Sequence, residues 1–249
     1  MRSSSFRRGA GSHGRLRCVS PSYNGRVETV DVIVAGAGII GLSIALELAT
    51  SGLRVRVVEK GRAMAEASWA AAGMLAANDP ELPAALSELA LLSSRLYPEY
   101  LASMEKLSGR LVPLRTRAAL QAGEAFSGDA LRYAISAEEA ARLIPGLVTK
   151  RRSFLWLEEA SLDPRDLCVA LPLAAATAGV ALLEETEVID VTSHAGWVEV
   201  KTQSGAMRAG AFVNCCGAWA GGLQPLAQAV EPEVGALAFF SRGLELLGR

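Results

Sequence analysis

Histidine is nearly absent from this chain of 249 residues, which holds only His13 and His194. His13 falls in the N-terminal leader and His194 in an expected turn, so neither a Ser-His-Asp nucleophile nor a histidine metal centre is expected. The four cysteines, Cys18, Cys168, Cys215 and Cys216, lack metal-ligand spacing, and the adjacent pair falls on an expected strand, where neighbouring side chains face opposite ways. A reduced, cytoplasmic protein is therefore expected rather than a disulfide scaffold. Charged residues make up only 20% and the net charge is −1, so no broad basic surface for nucleic acid is expected. No membrane span is expected either. The uncharged run 167–183 contains Pro172, and the run 209–230 contains Asn214, Gln224, Pro225 and four glycines.

Apolar residues are plentiful at 51%, enough for a substantial core. What charge there is lies unevenly. Residues 1–27 carry six arginines and no acid, so against a total of −1 the remainder stands at −7. That stretch lacks the apolar segment of a secretory signal. It reads as a basic disordered leader over 1–28, with an organellar transit peptide as the alternative.

The most informative segment spans residues 30–59. A strand ending at Ala35 runs into Gly36-Ala-Gly38-Ile39-Ile40-Gly41, then a helical pattern to about Ser51, a stop at Gly52, and a second strand ending on Glu59. This is the fingerprint of a dinucleotide site. Gly36 allows the tight turn, Gly38 admits a pyrophosphate to the backbone, and Gly41 lets the helix pack on the strand, while the helix N-terminus faces the phosphates and Glu59 a ribose hydroxyl. The motif leaves NAD and FAD both open.

Further along, a small-residue string at 69–75 reads from composition as a core helix. An amphipathic helix is expected over 81–107, with Leu86, Leu89, Leu92, Leu96 and Tyr100 forming a core stripe. Short strands are expected at 111–114 and 118–122. Ser136-Ala-Glu-Glu139 has the spacing of a capping box, predicting a helix over 137–143, and a strand follows at 154–157. Asp163 and Pro164 open another helix towards Ala178, which Pro172 should kink or destabilise. Strands at 180–183, 187–191, 197–202 and 206–208 precede a separate buried strand at 211–216, expected to return beside the first strand of the nucleotide sheet.

Taken together, the glycine motif with Glu59, the string Ala67-Ser68-Trp69-Ala-Ala-Ala72-Gly73-Met74-Leu75, the segment Glu159-Ala-Ser-Leu-Asp163-Pro164-Arg165 and Asn214-Cys-Cys-Gly217-Ala-Trp219 resemble the D-amino acid oxidase family of FAD-dependent amino-acid oxidases. Within it they resemble the glycine oxidase group, which serves thiamine biosynthesis. The resemblance runs from Val30 to about Leu223. It implies FAD as cofactor, with backbone around Ile39 and Ile40 at the pyrophosphate and Glu59 and Lys60 at the adenosine ribose. It also implies Ala67 and Ser68 beside the phosphates, Ala72, Gly73 and Met74 along the flavin ring, and the Val188 backbone at the adenine. The implied reaction is oxidative deamination of glycine or another small amino acid or amine. Hydride passes to the flavin and O2 takes the electrons.

The implied fold class is α/β: a Rossmann-type FAD-binding sheet with an incomplete, mainly antiparallel substrate-domain portion. The FAD-binding domain would comprise 29–110 and 153–228, with a partial substrate domain at 111–152. The family's carboxylate-binding residues belong to a C-terminal third whose pattern is not found here, so no catalytic residue is assigned. Residues 229–249 read as an aberrant, truncated or frame-shifted tail. The alternatives are a non-catalytic FAD-binding fragment, an NAD-dependent dehydrogenase and a D-amino-acid dehydrogenase type of enzyme. A homo-oligomer is left open.

Overall fold

The computed structural model describes residues 29–223; the leader expected at 1–28 and the tail expected at 229–249 lie outside the described residues. In chain order the elements begin with β1 (Thr29–Ala35), α1 (Ile39–Thr50), β2 (Val55–Val58), α2 (Ala67–Ala70), β3 (Met74–Leu75) and α3 (Ala84–Ser108). Next come β4 (Leu114–Thr116), β5 (Ala119–Gly123), a 3-10 turn at Gly128–Tyr133, β6 (Ala134–Ile135), α4 (Ala137–Leu143), β7 (Ser153–Leu157), β8 (Ala160–Leu162) and α5 (Pro164–Thr177). The last are β9 (Ala181–Leu183), β10 (Val188–His194), β11 (Trp197–Thr202), β12 (Gly205–Asn214) and a 3-10 turn at Gly217–Gly222.

Six strands form the main sheet in the order β10-β11-β12-β1-β2-β9. From β12 to β9 they run parallel, while β10 and β11 continue the sheet antiparallel. Alternation along β1 decides the layers. Val32 and Val34 pack with Leu42, Leu46, Leu171 and Ala174 of α1 and α5, whereas Ile33 joins Val58, Val191 and Val200 in a second cluster. Because β1 is covered on both faces, its sequence is apolar throughout, as a central parallel strand requires. Two three-stranded sheets, β3-β8-β4 and β5-β7-β6, complete the fold with antiparallel pairings.

At the start of β2, Arg54 grips Asp31 of β1 at 2.7 Å. Hydrogen bonds from the Arg54 guanidinium and backbone hold the Asp31 carboxyl down at about 2. Since this is below its ordinary 3.8, the contribution to stability is present above about pH 4 and is lost as pH falls through 2. A carboxyl NMR titration should find the low midpoint in the parent and an ordinary one in Arg54→Ala.

Asp163 accepts the Arg165 N–H at 2.9 Å and Pro164 occupies the first turn of α5, as their positions in the sequence predict. Ser136 likewise caps α4, accepting the Glu139 N–H at 3.1 Å. Asp163→Ala should therefore lower stability by about 1 kcal/mol in urea denaturation, with Asp163→Asn retaining most of it.

Three expectations need correction. The string at 69–75 is not a core helix: α2 ends at Ala70, with Ala70, Ala71 and Ala72 exposed, and Met74 begins a strand. The long helix starts at Ala84, because Asp79 forms an Asx turn with the Glu81 N–H and Pro83 stands at the cap. Its expected core stripe is also largely uncovered, with Leu89, Leu92 and Leu96 exposed at 62%, 47% and 52%. At 1.5 Å per residue α3 is about 38 Å long and its neighbour α5 about 21 Å. Only the second half of α3 packs into the core, through Tyr97, Tyr100, Leu101 and Met104. Third, the strands expected at 206–208 and 211–216 are one strand, β12, that ends at Asn214; Cys215 and Cys216 lie beyond it, so the strand alternation expected of them does not apply. The helix opened by Asp163 runs on through Pro172 to Thr177, close to the expected end. Among the described residues no helix is long and apolar enough to cross a membrane.

Candidate functional site

Three loops meet beyond the C-terminal ends of β1, β2 and β12, the edge where open α/β sheets bind ligands. β1 is pinned there on both sides: Gly36 donates its N–H to the Val58 carbonyl at 2.8 Å, and Cys215 donates to the Ala35 carbonyl at 2.7 Å. The glycines of the motif are fixed by close approach. Gly36 has φ +97°, and a Cβ there would stand 2.3 Å from the Cys215 oxygen. A Cβ on Gly41 would stand 2.0 Å from the Gly36 oxygen. Gly38 faces Ser68, whose Oγ accepts the Ile39 N–H at 3.0 Å.

Gly38 caps α1 without a side chain, and the first turn holds no acid, so the positive end of the helix dipole has no carboxylate of its own. Ile40 is 42% exposed at this end. Ser43, one turn on, donates to the Ile39 carbonyl at 2.6 Å and shares a hydrogen with Tyr100 of α3 at 2.7 Å. Burial pushes the Tyr100 hydroxyl up to about 12, so it remains a neutral brace between the two helices.

Glu59 does more than the motif predicts. Its Oε2 accepts the Ala37 N–H and its Oε1 the Gly61 N–H, each at 2.8 Å, so one carboxylate ties the glycine turn to the end of β2. Both oxygens keep capacity for a further donor. Lys60 places its Nζ 3.4 Å from the centre of the Trp219 ring. The turn bearing Trp219 is held by Asn214, which is buried, donates to the Ala220 carbonyl at 3.0 Å and accepts the Cys216 N–H at 3.2 Å. Burial and the Cys216 sulfur push the Cys215 thiol up to about 12. Burial and Glu59 push Cys216 up to about 11, with Lys60 opposing. Both are thiols at neutral pH and poor nucleophiles.

Ala72, Gly73 and Met74 are held instead by β8 and α5. Gly73 has φ +76°, and a Cβ on it would meet the Leu162 oxygen at 2.1 Å; its own carbonyl accepts the Leu162 N–H at 3.0 Å. Met74 is 64% exposed. Beside it, Ala70, Ala71 and Ala72 face Arg115 and Arg165 across a cleft of about 410 Å³. Arg115 pairs with Asp166 at 2.9 Å, as befits a surface strand. Ala67 opens α2, one residue before Ser68. Val188, at the head of the edge strand β10, packs in the cluster that contains Val58, and two residues earlier the Thr186 N–H reaches the Glu59 carbonyl at 2.8 Å. The bracket made by Tyr100 with Ser43 has no motif of its own; Asn214 and Trp219 lie in the string Asn214-Cys-Cys-Gly217-Ala-Trp219, but nothing in it foretells the hydrogen bonds of Asn214 or the contact of Trp219 with Lys60.

A family model described as FAD dependent oxidoreductase matches residues 31–243. The chain belongs to that family. The chain is 34% identical over 217 residues to a glycine oxidase of Geobacillus kaustophilus, covering 76% of this chain and 55% of that protein. It is 33% identical over 205 residues to the bifunctional protein ThiO/ThiG of Synechocystis, covering 80% and 31%. The crystal structure of glycine oxidase from Geobacillus kaustophilus superposes with a TM-score of 0.70 at 30% identity, covering 77% of this chain and 56% of that one. The chain thus spans about half the length of the glycine oxidases it matches. FAD, the family's cofactor, fits the residues present. The mouth of α1 is uncapped by an acid, Glu59 retains acceptor capacity, and the exposed alanines with Met74 offer small and apolar side chains to a ring.

Proposed function

We propose that the chain is the FAD-binding portion of an oxidase of the glycine oxidase type, acting on glycine or another small amino acid or amine in the cytoplasm, in the setting of thiamine biosynthesis. The observation that carries this reading is the convergence of the acid-free α1 N-terminus, Glu59 and the Asn214-held turn at one sheet edge. Gly36, Gly38, Ile39, Ile40 and Gly41 would hold the pyrophosphate with Ala67 and Ser68; Glu59 and Lys60 would hold the ribose, Val188 the adenine, and Ala72, Gly73 and Met74 the flavin ring. When bound, FAD supplies the two-electron acceptor for the C–H bond beside the amine and a route for those electrons to O2. The protein's own contribution is to exclude water from the ring with Ala72 and Met74 and to offer backbone N–H groups to negative charge. The free thiols Cys168, Cys215 and Cys216 accord with a reducing compartment.

A second reading is flavin binding without turnover, since every group assigned above would hold the cofactor and none is assigned to the substrate. The two part on one preparation. The purified chain is titrated with FAD, followed by flavin fluorescence, and then assayed for peroxide with glycine and sarcosine. Binding with peroxide supports the oxidase, and binding without it supports the second reading. No saturable FAD binding would sink both.

A further inference from the structure

Glu159 is one of two buried polar residues in the described core, 7% exposed, and its hydrogen bond goes to Asn78, outside the groups assigned above to the cofactor. It sits in the bend between β7 and β8, where its Oε1 accepts the Asn78 N–H at 2.9 Å across 81 residues of chain. Asn78 answers with its own side chain: Nδ2 donates to the Glu158 carbonyl at 3.2 Å, and Oδ1 accepts the Tyr133 hydroxyl at 3.4 Å. The bend and the loop after β3 are therefore clasped from both sides.

The clasp stands next to a weak pairing. β3 is two residues long and meets β8 through Met74 opposite Ser161 and Leu75 opposite Ala160. Met74 is mostly exposed, so little buried apolar surface reinforces the pairing. On one side the Gly73 carbonyl is held by Leu162; on the other, the next long-range tie is Asn78 to Glu159. Losing the Glu159 acceptor would leave a part-buried N–H unpaired and free the loop that determines where Met74 ends up. Burial pushes the Glu159 carboxyl up, with nearby Asp79 adding to this and the Asn78 N–H opposing it, which is the cost of keeping a carboxylate in a buried position to serve one backbone donor.

We propose that Glu159 is a positioning residue for the flavin end of the cofactor: through Asn78 it holds the Gly73–Met74 segment against β8. The proposal rests on the reading of Ala72, Gly73 and Met74 as flavin-lining. It separates the two ends of the site, because the Glu159 clasp supports the flavin-lining strand while the glycine turn and Glu59 act at the other end.

The test compares the parent chain with Glu159→Ala and Glu159→Gln, using FAD, ADP as a probe of the nucleotide end, and amide exchange at Asn78. Only one carboxylate oxygen is engaged, so the glutamine carbonyl can replace it. Glu159→Ala should bind FAD about tenfold more weakly, bind ADP as the parent does, alter the visible absorbance of the bound flavin and speed Asn78 exchange at least tenfold. Glu159→Gln should restore all four. Parent-like FAD binding in Glu159→Ala would overturn the proposal, and so would an equal loss of ADP, which would mark general loosening. A parent chain that binds ADP but not FAD would overturn the flavin assignment of Ala72, Gly73 and Met74 itself, even if exchange at Asn78 still responded.

Discussion

Gly41→Ala should abolish FAD binding and destabilise the chain by about 3 kcal/mol or more, the upper end of what overpacking costs. The added methyl would stand 2.0 Å from the Gly36 oxygen, 3.1 Å from the Gly36 carbon and 3.2 Å from the Cys215 Cβ. Two of these atoms are main chain, held in turn by Val58 and by the β1–β12 pairing, so no flexible side chain can swing aside. The turn would have to open, separating α1 from β12 and moving the first-turn N–H groups off target. Gly36→Ala adds left-handed strain to a contact of 2.3 Å and should behave alike. Gly52→Ala is the control. Its φ is +91° but nothing lies within 4 Å of the new methyl, so only strain of about 1 kcal/mol is expected, with FAD binding retained. Urea midpoints and an FAD titration on the three variants decide the matter, and a Gly41→Ala chain as stable as Gly52→Ala would refute the close-approach account.

Glu59→Gln should fail to rescue what Glu59→Ala loses, the reverse of the expectation at Glu159. Here both oxygens are engaged, Oε2 by the Ala37 N–H and Oε1 by the Gly61 N–H. An amide has one acceptor atom, so its NH2 would face one of these donors head-on. Each lost charge-assisted bond is worth about 1.5–3 kcal/mol, and both variants should lose roughly 2–3 kcal/mol of stability. FAD affinity should drop about 100-fold, because the glycine turn and the proposed ribose acceptor fail together. Isothermal titration with FAD and with ADP reads this. ADP should suffer as much as FAD, and ADP affinity near the parent value in Glu59→Gln would remove the nucleotide-end assignment.

The β1–α1–β2 unit was legible because its physics is local: glycine positions, an apolar strand and a terminal acid all lie within 30 residues. The same holds for the Ser136 and Asp163 caps, whose partners are two or three residues away. The parallel return of β12 beside β1 was also expected, since an apolar strand ending at Asn214-Cys-Cys-Gly217 matches the edge of a nucleotide sheet. Periodicity failed where a partner decides the outcome. It identified the apolar face of α3 but not that α5 is too short to cover Leu89, Leu92 and Leu96. The small side chains at 70–72 looked like close packing in a core, and they are exposed. Glu159 with Asn78 and Lys60 with Trp219 join residues 81 and 159 positions apart, distances at which no sequence spacing carries information.

β12 serves two neighbours at once: Arg208 and Ala209 pair with β1 on one side and with Glu199 and Val198 of β11 on the other. This arrangement has a consequence for synthesis on the ribosome. β1 emerges about 180 residues before the strand that completes it. At roughly 5–20 residues per second it waits some 10–40 s with one edge open. β2 can join early, and the β10–β11 hairpin can close locally as soon as it is made, but the long-range parallel pairing must come later. The contact of Cys215 with Gly36 that shapes the glycine turn depends on that long-range pairing. The nucleotide cradle, whose first strand opens the described elements, is therefore finished only when β12 pairs, and until then a nascent chain cannot use cofactor binding to assist the folding of the elements between.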